Sequence, residues 1–173
     1  AGGVGGLLVQ LASEAGAVVV ALAGDARKLE HARSLGAKHA VNYRTPDWPH
    51  VLDELANGLD VVFDSIGGDV TAALVDRIVP GARYVQFGMA SGVEGVVDPT
   101  LLEARGAGLV PLHAVANDPA RLYDLVEEAL RRAVERRLRP VIGQTWPLEH
   151  ARDAHAAIEA RSTIGKTLLL VSS

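Results

Sequence analysis

The sequence predicts an α/β domain built on a doubly wound parallel sheet. Three observations carry that expectation. Short apolar runs rich in β-branched residues recur along the chain, amphipathic helical segments of about 10 to 15 residues separate them, and glycine or proline marks most junctions. Strands alternating with helices need right-handed crossovers, which leave neighbouring strands parallel.

The chain opens AGGVGG, after which Leu7, Leu8, Leu11, Ala12 and Ala15 recur at helical spacing, so a helix with one buried face is expected up to Gly16. Residues 17–23, AVVVALA, read as a strand covered on both faces. A helix over residues 28–35 closes at Gly36, and a short strand begins at Ala40. Next come a helix over residues 48–55, the strand LDVVFDSIGG, a helix over residues 70–78 and the strand ARYVQFG ending at Gly88. Asn117, Asp118 and Pro119 supply a capping side chain and a first-turn proline for a helix reaching Leu138. Its RRAVERR stretch reads as a solvated face carrying ion pairs. Pro140 breaks that helix; VIGQTW is then a strand, residues 149–160 a helix and KTLLLV a last strand.

Composition removes several function classes. With 173 residues, 49% of them hydrophobic, the chain can build a real core. A formal charge of -4 supplies no basic field for nucleic acid or an acidic membrane. No run approaches the roughly 18 apolar residues of a membrane helix, and the first residues lack the order of a secretory signal, so a cytoplasmic protein is expected. Without cysteine there is no disulfide, thiolate zinc site or cysteine nucleophile. The six histidines include no HExxH pair, and His150 and His155 do not share a helix face, so no metal site is expected. There is no GxSxG elbow and no Tyr-x-x-x-Lys pair. Met89 is the only methionine, and the chain is expected to be a piece of a longer protein.

The residues that could carry chemistry sit at strand ends. Gly2, Gly3 and Gly5 precede a helix, the context in which backbone N–H groups approach a pyrophosphate, and the strand that should precede them is expected to be missing. The strand ending at Ala23-Gly24 lacks the acid that would accept bonds from a free ribose hydroxyl, and Arg27-Lys28 follow; this favours a 2′-phosphate. The alternative is that Asp25 caps the next helix and Lys28 lies on its solvated side. Two further loops, residues 64–68 and 87–92, are rich in small residues and should line the cleft at the carboxyl ends of the strands, or else be ordinary turns. Asp64 is either a ligand contact or a residue that fixes its loop through the backbone.

Taken together, AGGVGGLLVQLA, KLEHARSLGAKHAVNYR, DVVFDSIGGD, GARYVQFG and PLEHARDAHAAIEARSTIGK resemble the medium-chain dehydrogenase/reductase superfamily, within it the zinc-free quinone oxidoreductase and enoyl reductase branch. The resemblance implies a Rossmann domain over residues 1–140 and a return segment over residues 141–173 that packs on a catalytic domain. That amino-terminal catalytic domain is absent from the sequence. It implies that Gly2, Gly3, Val4 and Gly5 form the pyrophosphate loop. Gly24 with Lys28, Tyr43 and Arg161 would meet the adenosine end, Lys28 and Arg161 approaching the 2′-phosphate. Ser65, Ile66, Gly67, Phe87 and Gly88 would lie near the nicotinamide.

The activity implied is hydride transfer from NADPH, in preference to NADH, to a quinone, enone or similar small molecule, with no zinc in this chain. No residue is assigned as catalytic. The alternative is a nucleotide-binding module without activity of its own. The family's dimer is expected with a weakened edge, because Pro111 removes a backbone donor where relatives usually place glycine. The GVEGVVDPTLLEARG segment follows the family loosely and receives no assignment.

Overall fold

The structure, a computed structural model, describes residues 1–112 and 117–171. It divides into two compact units, Ala1–Thr45 with Ala129–Ser173, and Pro46–Glu128.

The first unit begins with α1 (Gly3–Glu14), followed by β1 (Val20–Ala23), α2 (Ala26–Ser34) and β2 (His39–Asn42). β1 and β2 pair in parallel from Val20 opposite His39 to Ala23 opposite Asn42, so α2 is their crossover. Asp25 caps α2 by accepting the Lys28 N–H at 2.9 Å. The buried side chains Ala23, Ala32, Ala37 and Val41 are mostly small, which lets helix and strands approach closely. β6 (Ile142–Pro147) and β7 (Lys166–Leu170) form a second parallel pair, joined through a 3₁₀ turn (Leu148–His150) and α7 (Ala151–Glu159) with Ala154 buried. Glu14 at the end of α1 accepts from Arg132 at 2.7 Å and from Arg137 Nε at 2.7 Å, and Arg131 pairs with Glu135. RRAVERR is therefore the ion-paired face its composition suggests.

The second unit holds α3 (Trp48–Leu55), β3 (Leu59–Asp64), α4 (Asp69–Val75), β4 (Ile78–Gln86), α5 (Pro99–Ala104) and β5 (Gly108–Leu109). Its three strands are parallel, in the order β3-β4-β5. Val62, Val70, Leu74, Ile78, Ala82, Tyr84 and Leu102 are buried between the sheet and its helices. Arg77, just past α4, grips Asp53 of α3 through Nε at 2.6 Å and Nη2 at 2.9 Å. α6 (Pro119–Val134) runs from this unit into the first; Asp118 caps it by accepting the Arg121 N–H at 3.1 Å, and no residue along it is buried.

All pairing among the described strands is parallel, as the alternation of elements implies, but it is distributed over three sheets of two, three and two strands. Among the described residues β1 is bonded along one edge only, to β2, and β3 along one edge only, to β4. Several boundaries differ from expectation. β1 starts at Val20, three residues later than the apolar run, and Val18 is exposed. The helix expected to reach Ile78 stops at Val75, because the Arg77 carbonyl accepts the Leu59 N–H at 2.9 Å and draws Ile78 into register opposite Leu59. α5 lies in the segment left unassigned, capped by Asp98, which accepts the Thr100 N–H at 2.8 Å. β5 ends two residues before Pro111. Among the described residues, no helix is long and apolar enough to cross a membrane.

Candidate functional site

In the first unit the glycine-rich turn proves to be the first turn of α1 itself. Gly2 is the N-cap, Gly3, Val4 and Gly5 are already helical, and the Gly6 N–H bonds the Gly2 carbonyl at 2.9 Å. No side chain caps this end and no acid stands in its first turn, so its backbone donors face outward with the positive end of the helix dipole behind them. The close approach that glycine allows is used on two sides. A Cβ on Gly3 would lie 2.9 Å from Lys166 Cγ, and one on Gly6 would lie 3.1 Å from Leu35. Gly165 donates to the Ala1 carbonyl at 2.9 Å and bridges Gly2 in parallel, so the turn before β7 braces the glycine turn.

Gln10, two turns into α1, adds a second brace. Its amide donates to the Arg139 carbonyl at 2.9 Å and accepts the Arg139 N–H at 2.9 Å. Gln10, Gly2, Gly3, Gly6, His31 and Gly165 line a narrow cleft. His31 Nε2 is buried there with no hydrogen-bond partner among the described residues, and burial pushes its imidazole below the ordinary range.

At the end of β1 the residues expected to meet a 2′-phosphate converge. Gly24 lies beneath Tyr43 and Arg44: a Cβ there would come 3.2 Å from Tyr43 Oη and 2.9 Å from Arg44 Nε. The Lys28 ammonium lies 3.1 Å from Asp25 Oδ2 and donates to the carbonyl of Arg161, which has a left-handed backbone at φ 56°. The Lys28 N–H in particular, and then its ammonium, hold the Asp25 carboxyl below the usual carboxylate range. Asp25 caps α2, as the second reading expects, but Lys28 faces the Arg161 segment and not solvent. Arg44 is the residue that sequence reasoning passed over. Its only signal was a cation following Tyr43 in NYR.

In the second unit the loops after β3 and β4 are bonded together. The Phe87 N–H bonds the Asp64 carbonyl at 2.8 Å, Ala90 bonds Ser65 at 2.8 Å and Ser91 bonds Ile66 at 2.7 Å. Gly88 fits against Ser65, where a Cβ would lie 3.2 Å from the Ser65 carbonyl oxygen. Ser65, Ile66, Gly67, Phe87 and Gly88 are therefore brought to one place. Asp64 is buried beneath them: Oδ1 accepts the N–H groups of Ile66 at 2.8 Å and Gly67 at 3.2 Å, while Oδ2 accepts from Thr71 at 2.5 Å and Tyr84 at 2.9 Å. Of its two possible roles, Asp64 performs the second: it fixes the loop.

Chemically, the first unit offers an uncapped helix terminus and a cluster of cations, both suited to phosphate oxygens. The second offers small side chains on a rigid loop pair. Among the described residues no group of three or more histidine, aspartate or glutamate side chains could hold a metal ion, and the chain has no cysteine.

A family model described as zinc-binding dehydrogenase matches residues 35–169. The chain has no cysteine, and among the described residues there is no cluster of other donors of the kind a zinc site needs, so those residues do not fit zinc. A 2-haloacrylate reductase from Burkholderia sp is 33% identical over 182 residues, covering 98% of this chain and 53% of its own. Quinone oxidoreductase 1 of Escherichia coli (strain K12) is 30% identical over 98% of this chain and 54% of its own. The crystal structure of Escherichia coli quinone oxidoreductase complexed with NADPH superposes with a TM-score of 0.86 at 29% identity, covering 99% of this chain and 55% of that one. The chain spans about half the length of the curated relatives it matches. It belongs to the zinc-binding dehydrogenase family, in the quinone oxidoreductase-like branch of the medium-chain dehydrogenase/reductase superfamily, and corresponds to the Rossmann-type cofactor-binding part.

Proposed function

We propose that this chain is the NADPH-binding part of a cytoplasmic oxidoreductase that transfers hydride to a quinone, an enone or a similar activated double bond. The observation that carries the reading is the convergence of Lys28, Tyr43, Arg44 and the Arg161 segment at Gly24, where the acid that would select NADH is replaced by Asp25 turned onto Lys28. The uncapped first turn of α1, with Gly2, Gly3, Val4 and Gly5, takes the pyrophosphate. Ser65, Ile66, Gly67, Phe87 and Gly88 take the nicotinamide end. The Escherichia coli quinone oxidoreductase complexed with NADPH supports the choice of nucleotide.

When bound, the cofactor supplies the hydride, and the chain's own residues hold it in position. Asp64 keeps the Ile66 and Gly67 amides, and with them the nicotinamide loop, in one conformation. The substrate wall comes from an amino-terminal catalytic domain, on which residues 141–173 pack. The protein functions as a homodimer, with pairing at the edge near Pro111 weakened. Titration by nucleotide fluorescence tests the first step: NADPH is expected to bind about tenfold or more tightly than NADH. Turnover with a quinone in the presence of the catalytic domain tests the second. Binding of neither nucleotide overturns the reading; binding without turnover leaves a nucleotide-binding module.

A further inference from the structure

We infer that Gln10 is a positioning residue for the dinucleotide: it fixes the aim of the first turn of α1 without itself touching the ligand. The inference rests on the cofactor reading above and assigns what holds that turn in line.

Gln10 spends its whole donor capacity on two carbonyls. Its amide nitrogen donates to the Gly6 carbonyl at 3.1 Å and to the Arg139 carbonyl at 2.9 Å, while its oxygen accepts the Arg139 N–H at 2.9 Å. The two-point pairing with Arg139 has a local cause, because Arg139 precedes Pro140 and a residue before proline favours extended backbone. Extended backbone turns the N–H and C=O of one residue to the same side, where a side-chain amide exchanges a bond with each, as a neighbouring strand would. A carboxylate at this position could accept but not donate, and a thioether could do neither well.

The pairing leads to the glycine turn. Gly6, whose carbonyl holds the Gln10 amide, sends its own N–H to the Gly2 carbonyl at 2.9 Å, and Gly2 is the N-cap. A chain of hydrogen bonds therefore runs from Arg139 through Gln10 and Gly6 to the cap of α1. Packing does not duplicate it, since Gly6 is the one fully buried residue of the helix. At the far end of α1, Glu14 accepts from Arg132 and from Arg137 Nε, each at 2.7 Å, so residues 132–139 hold the helix at two levels. The Gly165 bridge fixes Gly2 itself, whereas Gln10 fixes the direction of the helix behind it. Direction matters because a hydrogen bond weakens steeply as its donor turns off line. A small rotation of α1 would turn the first-turn amides away from a bound pyrophosphate.

The test compares two ligands in the unaltered protein and its Gln10→Met and Gln10→Glu variants. NADPH carries a pyrophosphate; adenosine 2′-monophosphate has none and is read by its displacement of NADPH. Q10M is expected to weaken NADPH about fivefold or more while changing the monophosphate less than about twofold. Q10E, whose carboxylate faces two carbonyls with no proton to give, is expected to weaken NADPH at least as much as Q10M. Parallel weakening of both ligands would mean that Gln10 serves the fold alone and overturns the assignment, as does NADPH affinity within about twofold of the unaltered protein in Q10M or Q10E. Circular dichroism checks folding. If Q10M does not fold, Gln10→Asn, which withdraws the amide by one methylene, is held to the same criterion, and loss of folding in both also overturns the assignment. An unaltered protein that does not bind NADPH, or from which the monophosphate does not displace it, fails the cofactor reading first; NADPH binding that Q10M leaves unchanged fails this assignment alone.

Discussion

The phenolic hydroxyl of Tyr84 donates a 2.9 Å hydrogen bond to Asp64 Oδ2, and neither residue exposes more than 1% of its surface. Every group around the Asp64 carboxylate, two backbone amides and the hydroxyls of Thr71 and Tyr84, is a donor. An asparagine would turn its own NH₂ toward one of those donors. Asp64→Asn is therefore expected to destabilise the fold by about 2–4 kcal/mol, read from urea denaturation, and to weaken dinucleotide binding by loosening the loop. A stability loss below about 0.5 kcal/mol would show that the loop does not depend on this carboxylate.

The same pair predicts an alkaline limit. Burial first, and the neighbouring Asp64 charge second, push the Tyr84 phenol well above its ordinary range. In the unfolded chain the phenol ionises near pH 10, while in the fold it stays protonated. The stability tied to it is complete below about pH 10 and is lost as pH rises beyond that value. Tyr84→Phe should cost about 1 kcal/mol at pH 8 but show a shallower decline between about pH 9.5 and 11. Parallel declines in the two proteins would assign the alkaline loss to other groups.

Gly67 is expected to tolerate no side chain. Its backbone is left-handed at φ 78°, and a Cβ would lie 2.4 Å from the Val93 carbonyl oxygen. Gly67→Ala must therefore separate this loop from the Val93 segment, with a loss of roughly 2 kcal/mol or more. Differential scanning calorimetry measures it; an unchanged Tm would show that the loop pair yields more easily than its contacts imply.

Much of this arrangement was legible in the chain because it rests on local rules. Asp25 and Asp118 cap helices as capping residues do, and the charges of RRAVERR pair as their spacing allows. What was not legible depends on distant partners. Ile78 looks helical until the Arg77 carbonyl meets Leu59, and Gly3 looks like a loop residue until it proves to be the start of α1, under the stem of Lys166. Arg44 carried no periodic or capping signal at all; its meaning comes from Gly24, twenty residues earlier in sequence and directly beneath it in space. Asp64 was open between two roles because both use the same atoms. Only the positions of Thr71 and Tyr84 decide between them.

The open edges of β1 and β3 carry a prediction about length. Among the described residues each strand is paired on one side only, and Val61 and Phe63 of β3 are 40% and 47% exposed. Unpaired strand groups and uncovered apolar side chains both weaken a sheet. A version of the protein extended upstream of Ala1 through one more strand is expected to melt at a higher temperature than the 173-residue chain. Equal melting temperatures would mean that these edges are already satisfied.

The bond between Lys28 and the Arg161 carbonyl spans 133 residues of sequence. On a ribosome, Lys28 and the glycine turn emerge long before Arg161 and Gly165 exist. At about 5–20 residues per second, the interval is on the order of ten seconds. During it β1, α2 and β2 can form, but the end that carries Gly24 lacks both the carbonyl that anchors Lys28 and the turn that braces Gly2. The bracing of these two positions is consequently a late event of synthesis, and a product stalled before Arg161 would leave Lys28 and the glycine turn unanchored.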